Sequence, residues 1–529
     1  MDAILLLLGQ QPLMTLFLTV ALGYLLGEVT IKGFSLGAGA VLFVALFIGW
    51  LAPDSAPAPL VGSLGLALFL YCVGIQYGKQ FFTGLIRPAG QRANLLSLLS
   101  LMLMGGLSLG CIDLVGGKLS YVLGLFAGAG VSTPALQGAI AAMGNNDPAV
   151  GYSAAYPIGV AGPILLIYLA FMILKPACVR PTGTGLEWQE IAIRNPELFG
   201  KRIADIWPML PAGTKILALR EEHVNKFPHP DLIIDEDDVL MVSANRMEAL
   251  QQAQQLLGVH APGTIVKDRS TMDYVRVFAS KRSVVGQTLG DLKIPGEFDY
   301  QFVQVSRGDG DLMPHSDLIL EYGDRVGVFA NREDIPQVRA FFGDSIKGTA
   351  DFSYISIGLG MALGLLVGLI PIPLPSGTLT LGFAGLLLTA LVLGYFRRTA
   401  GLIWTMPISA NLVLRNLGLT IFLAQVGISS GPKFAAAVAE SGLLFLLLGG
   451  ALVLALVVPV LILGLFVLKL EFDDVCGIVA GVTGNPAILA FASKITGTDK
   501  PDIGYAMIFP GATIVKILFV QLTPLFFGG

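Results

Sequence analysis

Charge is what this chain has least of. Lys, Arg, Asp and Glu together make up 13% of its 529 residues, against 54% hydrophobic residues, and the mean hydropathy is +0.74. A soluble globular protein carries about 25% charged residues. The composition therefore excludes an ordinary soluble enzyme and indicates a polytopic membrane protein. Histidine is scarce too, with four residues. The four cysteines (Cys72, Cys111, Cys178 and Cys476) lie in or beside apolar segments, without metal-ligand spacing. They read as structural, with no disulfide framework. No basic residue precedes Leu5–Leu8 and no small-residue cleavage motif follows, so no removed signal peptide is expected. The net charge of −4 says little, because the charge is concentrated in one central block.

In place of charge there are long apolar runs. In the first half they cover about 12–27, 34–52, 58–78, 93–111, 120–143 and 150–175. The second half repeats this at about 353–370, 378–396, 408–430, 441–468, 474–493 and 503–527. Between them lies a polar region, 177–350. The two halves share one offset. Gly124 and Gly477, Tyr152 and Tyr505, and Pro157 and Pro510 are each 353 residues apart. GLALFLYCVGIQYGKQF from Gly65 matches GLTIFLAQVGISSGPKF from Gly418 at the same offset. The chain contains two copies of one membrane unit.

Each copy holds a broken segment: GLFAGAGVSTPAL from Gly124 and GIVAGVTGNPAIL from Gly477. Glycines alone permit close helix packing, which accounts for Gly124 and Gly128. They do not account for Ser132-Thr133-Pro134 and Thr483-Gly484-Asn485-Pro486 at matching points. Proline opens a helix, and freed backbone groups at membrane depth survive only where protein or water satisfies them. Paired Gly/Pro-interrupted segments in corresponding positions point to a transporter binding site.

Loop charge gives an orientation. Cytoplasmic loops are enriched in Lys and Arg; here the basic positions are Lys79, Arg87 and Arg92, Lys175 and Arg180, Arg397 and Arg398, Lys469, and Lys494 and Lys500. If all six segments per half crossed the membrane, Lys79–Arg92 and Arg180 could not both be inside. The conflict vanishes if the broken segment enters and returns on one side. The expected fold class is thus a polytopic α-helical membrane protein of two inverted repeats, each about five spans plus a re-entrant or broken hairpin. Both termini are expected outside and the central region inside. A broken helix crossing the whole bilayer is the alternative.

The central region has its own duplication, at an offset of 86. It matches Gly200 to Gly286, His229 to His315, Asp238 to Asp324 and Asn245 to Asn331. Each copy reads as short strands, such as 214–220 and 238–243, followed by a helix that Asn245 would cap and Gly258 would end. VLMVSA and RVGVFAN read as half-buried strands. The expected domains are membrane repeat 1 at 1–180, small α+β domains at 185–260 and 270–345, and membrane repeat 2 at 350–529. The matched histidines, isolated from Cys or clustered carboxylates, read as turn or surface residues rather than metal ligands. No Gly-rich dinucleotide fingerprint is present, which argues against NAD. No cofactor, metal, catalytic residue or nucleic-acid partner is expected.

The candidate substrate-binding residues are those of the two breaks, Ser132, Thr133, Pro134, Thr483, Gly484, Asn485 and Pro486, with Arg415, Lys516 and Gln425. Helices starting after Pro134 and Pro486 would present positive ends to an anion. A basic group at span centre costs about 2.5–3.5 kcal/mol on insertion scales, which makes Lys516 and Arg415 functional candidates. For Arg415 the bland reading is snorkelling to the interface; for Lys516 it is a tie to backbone carbonyls. For Gln425 it is a bridge between helices. The matching positions in half one are Gly62 and Pro163, both uncharged. Positive charge therefore comes from half two, which favours an anionic or zwitterionic substrate. No Asp or Glu sits mid-span, which counts against Na⁺/H⁺ antiport. Trp50 and Trp404 read as interfacial anchors.

These motifs, in this order, resemble the bacterial aspartate:alanine exchanger family over nearly the whole chain. The resemblance rests on GFSLGAGAVLFVALFIG, the paired GLALFLYCVGIQYG and GLTIFLAQVGISSG segments, and the two breaks. The central domains resemble TrkA-C (RCK C-terminal) domains through VVGQTLGDL and PHSDLILEYGDRV. The resemblance implies a transporter rather than an enzyme, in the bacterial inner membrane. It implies antiport of aspartate or a related small carboxylate for alanine, by moving one bundle with both hairpins against a static one. The TrkA-C likeness implies a homodimer and a small regulatory ligand. It also raises the alternative of an ion channel or ion transporter gated by these domains, and of a receptor sensing a nucleotide. No TVGYG-type filter is present, which disfavours a channel.

Overall fold

The computed structural model describes residues 2–527 except 30–36, 177, 179–186, 223, 245–246, 266, 269–271, 297, 308–309, 346–352, 375–376 and 499. The chain forms two compact units. One comprises Met1–Arg180, Tyr354–Thr399 and Asn411–Gly529; the other Pro181–Ser353 with Ala400–Ala410.

The first half of the membrane unit contains α1 (Asp2–Gln10), α2 (Pro12–Gly27), α3 (Ala40–Leu51), α4 (Pro59–Ile86), α5 (Pro88–Gly110), α6 (Leu119–Ala129), α7 (Thr133–Met143) and α8 (Pro148–Leu174). Proline opens α2, α4, α5 and α8, where its missing N–H costs no intrahelical bond and its φ is already helical.

The second unit is α+β. Its first part holds β1 (Glu187–Ile193), β2 (Lys201–Arg202), α9 (Ile203–Ile206), β3 (Thr214–Glu221), β4 (Val224–Lys226), β5 (Ile233–Ile234), β6 (Val239–Ala244), α10 (Met247–Leu257) and β7 (Gly258–His260). The main sheet has the order β4-β3-β6-β1-β7. The second part holds β8 (Met272–Phe278), β9 (Tyr300–Arg307), β10 (Gly310–Leu312), β11 (Arg325–Asn331) and α11 (Ile335–Phe342), with the sheet order β10-β9-β11-β8. Gly258 does end α10, whereas Asn245, its expected cap, lies outside the described residues.

Two expectations for this unit are corrected. VLMVSA and RVGVFAN are expected to be half-buried, but every residue of β6 and all of 326–330 in β11 are buried. Leu240 and Val242 face a core with Leu250 and Leu257 of α10. Met241 and Val239 face a second core with Met272, Val303 and Phe329 of the other sheet. Each sheet is covered on both sides, so the period-2 pattern is lost.

The second membrane half runs through α12 (Tyr354–Gly368), a hairpin of β12 (Pro371–Leu374) and β13 (Gly377–Thr380), α13 (Phe383–Phe396), α14 (Ile408–Ile462), α15 (Phe472–Thr483), α16 (Pro486–Thr496) and α17 (Lys500–Phe527). The apolar runs at 408–430 and 441–468 are joined in one helix of 55 residues, where half one breaks at Arg87. Residue 440, the counterpart of Arg87, is Glu, and no proline follows it as Pro88 does, so nothing stops the helix. Among the described residues, six stretches are long and apolar enough to cross a membrane: Pro59–Ile86, Pro88–Gly110, Pro148–Leu174, Ile408–Ala436, Gly442–Val467 and Lys500–Phe527. Each half thus has three long helices and two shorter apolar ones beside its broken segment.

The duplication is visible in the packing. Helices α4 and α14 cross where a Cβ on Gly65 would lie 2.5 Å from Gly418 O, and one on Gly418 would lie 2.4 Å from Gly65 O. The contact is reciprocal, as across a twofold axis. From there α4 packs on α13, at Gly74 and Gly78, while α14 packs on α3, at Gly427 and Gly431. Each half supplies the short helix that covers the long helix of the other.

Candidate functional site

The two breaks are built by the same local chemistry. After α6 the chain passes through Gly130 and Val131, and Val131 takes a left-handed φ of +48°. The counterpart of Val131 at the 353 offset is Gly484, with φ of +80°. Glycine accepts this conformation freely. For a β-branched residue it is strained, at a cost of order 1–3 kcal/mol, and such strain clusters at functional sites. The next residues, Ser132 and Asn485, are matching N-caps. Ser132 Oγ accepts from Ala135 N at 3.3 Å, and Asn485 Oδ1 from Ala487 N at 2.7 Å. Pro134 and Pro486 then lock the first turns of α7 and α16.

Both broken segments are hairpins that return. Along α6 and α8, Tyr121 meets Gly151, Gly124 meets Pro148 and Tyr152, and Val131 meets Gly159. The two helices therefore run parallel. For that, α7 must carry the chain back to where α6 began. In the second half Gly477 meets Pro501, Gly481 meets Tyr505 and Ile508, and Gly484 meets Phe509, giving the same parallel register of α15 and α17. The close approach explains the glycines: a Cβ at Gly124 would fall 2.0 Å from Pro148 O.

The hairpin tips meet in one cavity of about 60 Å³. Val131–Pro134 and Thr483–Pro486 form one side with Tyr156, Tyr505, Phe509, Thr513 and Lys516; Phe69, Val73, Arg415, Asn416 and Leu419 of the crossing helices form the other. Nine of the ten residues proposed from sequence thus line the same space. The tenth does not. Gln425 is buried away from it, with its amide donating to Pro57 O at 3.3 Å and Ser429 Oγ at 3.0 Å, and its Oε1 sits against Gly62. It is a bridge between helices, because its place on α14 turns it toward α4 rather than the hairpins.

The polar groups divide into free and committed ones. Two helix N-termini, of α7 and α16, open at the tips, and each carries partial positive charge. Arg415 lines the cavity, and its guanidinium donates to Gln76 Oε1 at 3.0 Å and Tyr77 OH at 3.4 Å. Lys516 is 1% exposed, and its ammonium donates to Gly130 O at 2.6 Å and Thr483 O at 3.2 Å. The Thr483 hydroxyl is turned back on its own helix, to Val479 O at 2.8 Å. Thr133 Oγ1 lies 3.2 Å from Tyr152 OH. The aromatic wall was missed from sequence: Tyr505 stacks on Phe509 at 5.0 Å and meets Tyr77 edge-on. One signal was available, since Tyr156 and Phe509 also stand 353 apart.

Comparison with known proteins places this architecture. Residues 15–172 and 356–525 match the family model Asp-Al_Ex, described as Predicted Permease Membrane Region, and residues 274–343 match the TrkA-C domain. The chain is 38% identical to an uncharacterized transporter of Geobacter sulfurreducens, over 97% of this chain and 98% of that one. It is likewise 38% identical to an uncharacterized transporter of Symbiobacterium thermophilum and 35% identical to one of Corynebacterium glutamicum, each over 97% of this chain and 98% of the relative.

Proposed function

The chain belongs to the permease family of the Asp-Al_Ex model, and from that membership and the cavity we infer that this membrane transporter is an antiporter of small amino acids or carboxylates, of the aspartate-for-alanine type. The observation that carries this reading is the convergence of two helix N-termini and one guanidinium on a single small cavity. A carboxylate suits the N-termini, whose N–H groups lack intrahelical acceptors. A second carboxylate suits Arg415, whose planar fork can bind it bidentately. Ser132, Thr133, Pro134, Gly484, Asn485 and Pro486 shape the tips that hold the first. The hairpin bundle moves against α4 and α14, carrying the substrate past Arg415.

The test is exchange in proteoliposomes loaded with labelled aspartate. Efflux should require external aspartate or alanine. Efflux into buffer alone would replace the antiporter with a uniporter or channel, and silence with every small carboxylate would defeat the substrate assignment. In the same reading the α+β unit is cytoplasmic, both termini are outside, and TrkA-C-type domains hold a homodimer or answer a small ligand. Deletion of 185–345 should change exchange kinetics or oligomeric state; a variant unchanged in both would remove that role.

A further inference from the structure

The ammonium of Lys516 is the membrane unit's buried cation with the most telling partners. It donates to Gly130 O at 2.6 Å and Thr483 O at 3.2 Å, at 1% exposure. Gly130 caps the C-terminal end of α6, and Thr483 is the last residue of α15. Half-helices end there in carbonyls without intrahelical donors, and their dipoles put partial negative charge at those ends. One cation therefore answers two negative helix ends, from hairpins that belong to different halves of the chain. The neighbouring residues of α17 reinforce the contact, as Ile517 and Val520 pack over Gly138 of the first hairpin. The matching position in half one is Pro163, which offers no donor, so the tie is made on one side only.

We infer that Lys516 is a positioning residue, a strap that holds both hairpin tips as one moving body, and not a ligand of the transported anion. An ammonium has three N–H donors, and two of them are committed to the tips. With the tips tied, both N-termini change their exposure in the same step. This consequence rests on the transporter reading; the tie itself does not.

Spin labels at Ala142→Cys on α7 and Lys494→Cys on α16 report the distance between hairpins in the full-length protein, with Cys72, Cys111, Cys178 and Cys476 replaced by alanine. With Lys516 present, pulsed resonance should give one narrow distance, unchanged by saturating aspartate. Lys516→Met should broaden it in the absence of substrate. It should also lower the exchange rate by about tenfold while half-saturation stays within about threefold. Lys516→Arg should restore a narrow distance and part of the rate. A distance that shifts with aspartate when Lys516 is present would overturn the strap. So would a Met variant that keeps the narrow distance and loses affinity by about tenfold instead. If Lys516→Met does not accumulate, the comparison with and without aspartate decides alone, with Lys516→Gln as the second variant. Failure of every exchange assay would end the transport reading, while the distances without substrate would still judge the strap.

Discussion

Two cations face the same cavity and differ in what surrounds them. Lys516 has carbonyls on two sides. Arg415 has one amide oxygen and one phenol, both neutral, so its charge is left for an anion. Arg415→Gln should therefore weaken aspartate binding by about 10- to 100-fold, the loss of a charge-assisted hydrogen bond of roughly 1.5–3 kcal/mol, with a smaller effect on alanine. Isothermal titration with both amino acids checks this, and equal losses for the two would make Arg415 structural. The sequence marked both residues for one reason, that charge is rare at membrane depth. It could not tell them apart, because partners 33 and 386 residues away in the chain decide the matter. Gln425 was misplaced for a related reason. On a helix apolar on all sides, no face is marked as the one toward the site.

At the scale of elements, duplicated pieces show what one substitution does in a fixed setting. In the second α+β part, Arg307 grips Asp324 through two bonds of 2.7 and 2.8 Å and also reaches Glu321 at 2.7 Å. At the 86 offset these residues are Glu221, Asp238 and Asp235, so the first part has a carboxylate where the second has a guanidinium. Burial foremost, then the nearby charges of Glu221 and Asp235, pushes the Asp238 carboxyl above its ordinary range. A carboxyl raised on folding costs stability once pH exceeds its unfolded value, and the cost levels off above its folded one. Asp238→Asn should thus increase hydrogen-exchange protection of residues 239–244 at pH 7, with the gain fading as pH falls through the carboxylate range. Asp324→Asn should do the reverse for 325–331, by roughly 1.5–3 kcal/mol, because it removes the buried carboxylate that accepts two charge-assisted bonds from Arg307 while Glu321 stays as its remaining carboxylate partner. The paired helices, sheets and hairpins were legible because each motif occurs twice at one offset. The continuous α14 was not, since its second copy lacks the proline that ends α4. The burial of β6 on both faces was not legible either, because its other face is covered by residues some 30 to 90 positions further on.

The whole membrane unit is two halves that complete one another, and the positions of its basic loops predict an orientation. If the hairpins enter from opposite faces, Asn145, just past α7, and Lys494, in the last turn of α16, lie on opposite sides of the bilayer. Single cysteines at these positions should react with an impermeant maleimide from different sides, Asn145→Cys from outside. Labelling of both from one side would undo the inverted arrangement. The loop charges give this expectation only because each broken segment returns. Its return was inferred from a conflict of charges and is drawn in the structure by the parallel register of α6 with α8 and of α15 with α17.

The crossing at Gly65 and Gly418 has a consequence for descent. A contact in which each copy offers the same residue to the other is one that two identical chains could make. It needs no sequence difference between them, only opposite insertion. The tie made by Lys516 is of another kind. Encoded once and used twice, that lysine would arrive in pairs, and two ammoniums would crowd around the same tips. Only where the two copies are encoded separately can position 516 carry a lysine while position 163 carries a proline. The glycine crossing keeps the twofold relation between the halves, and the single lysine breaks it.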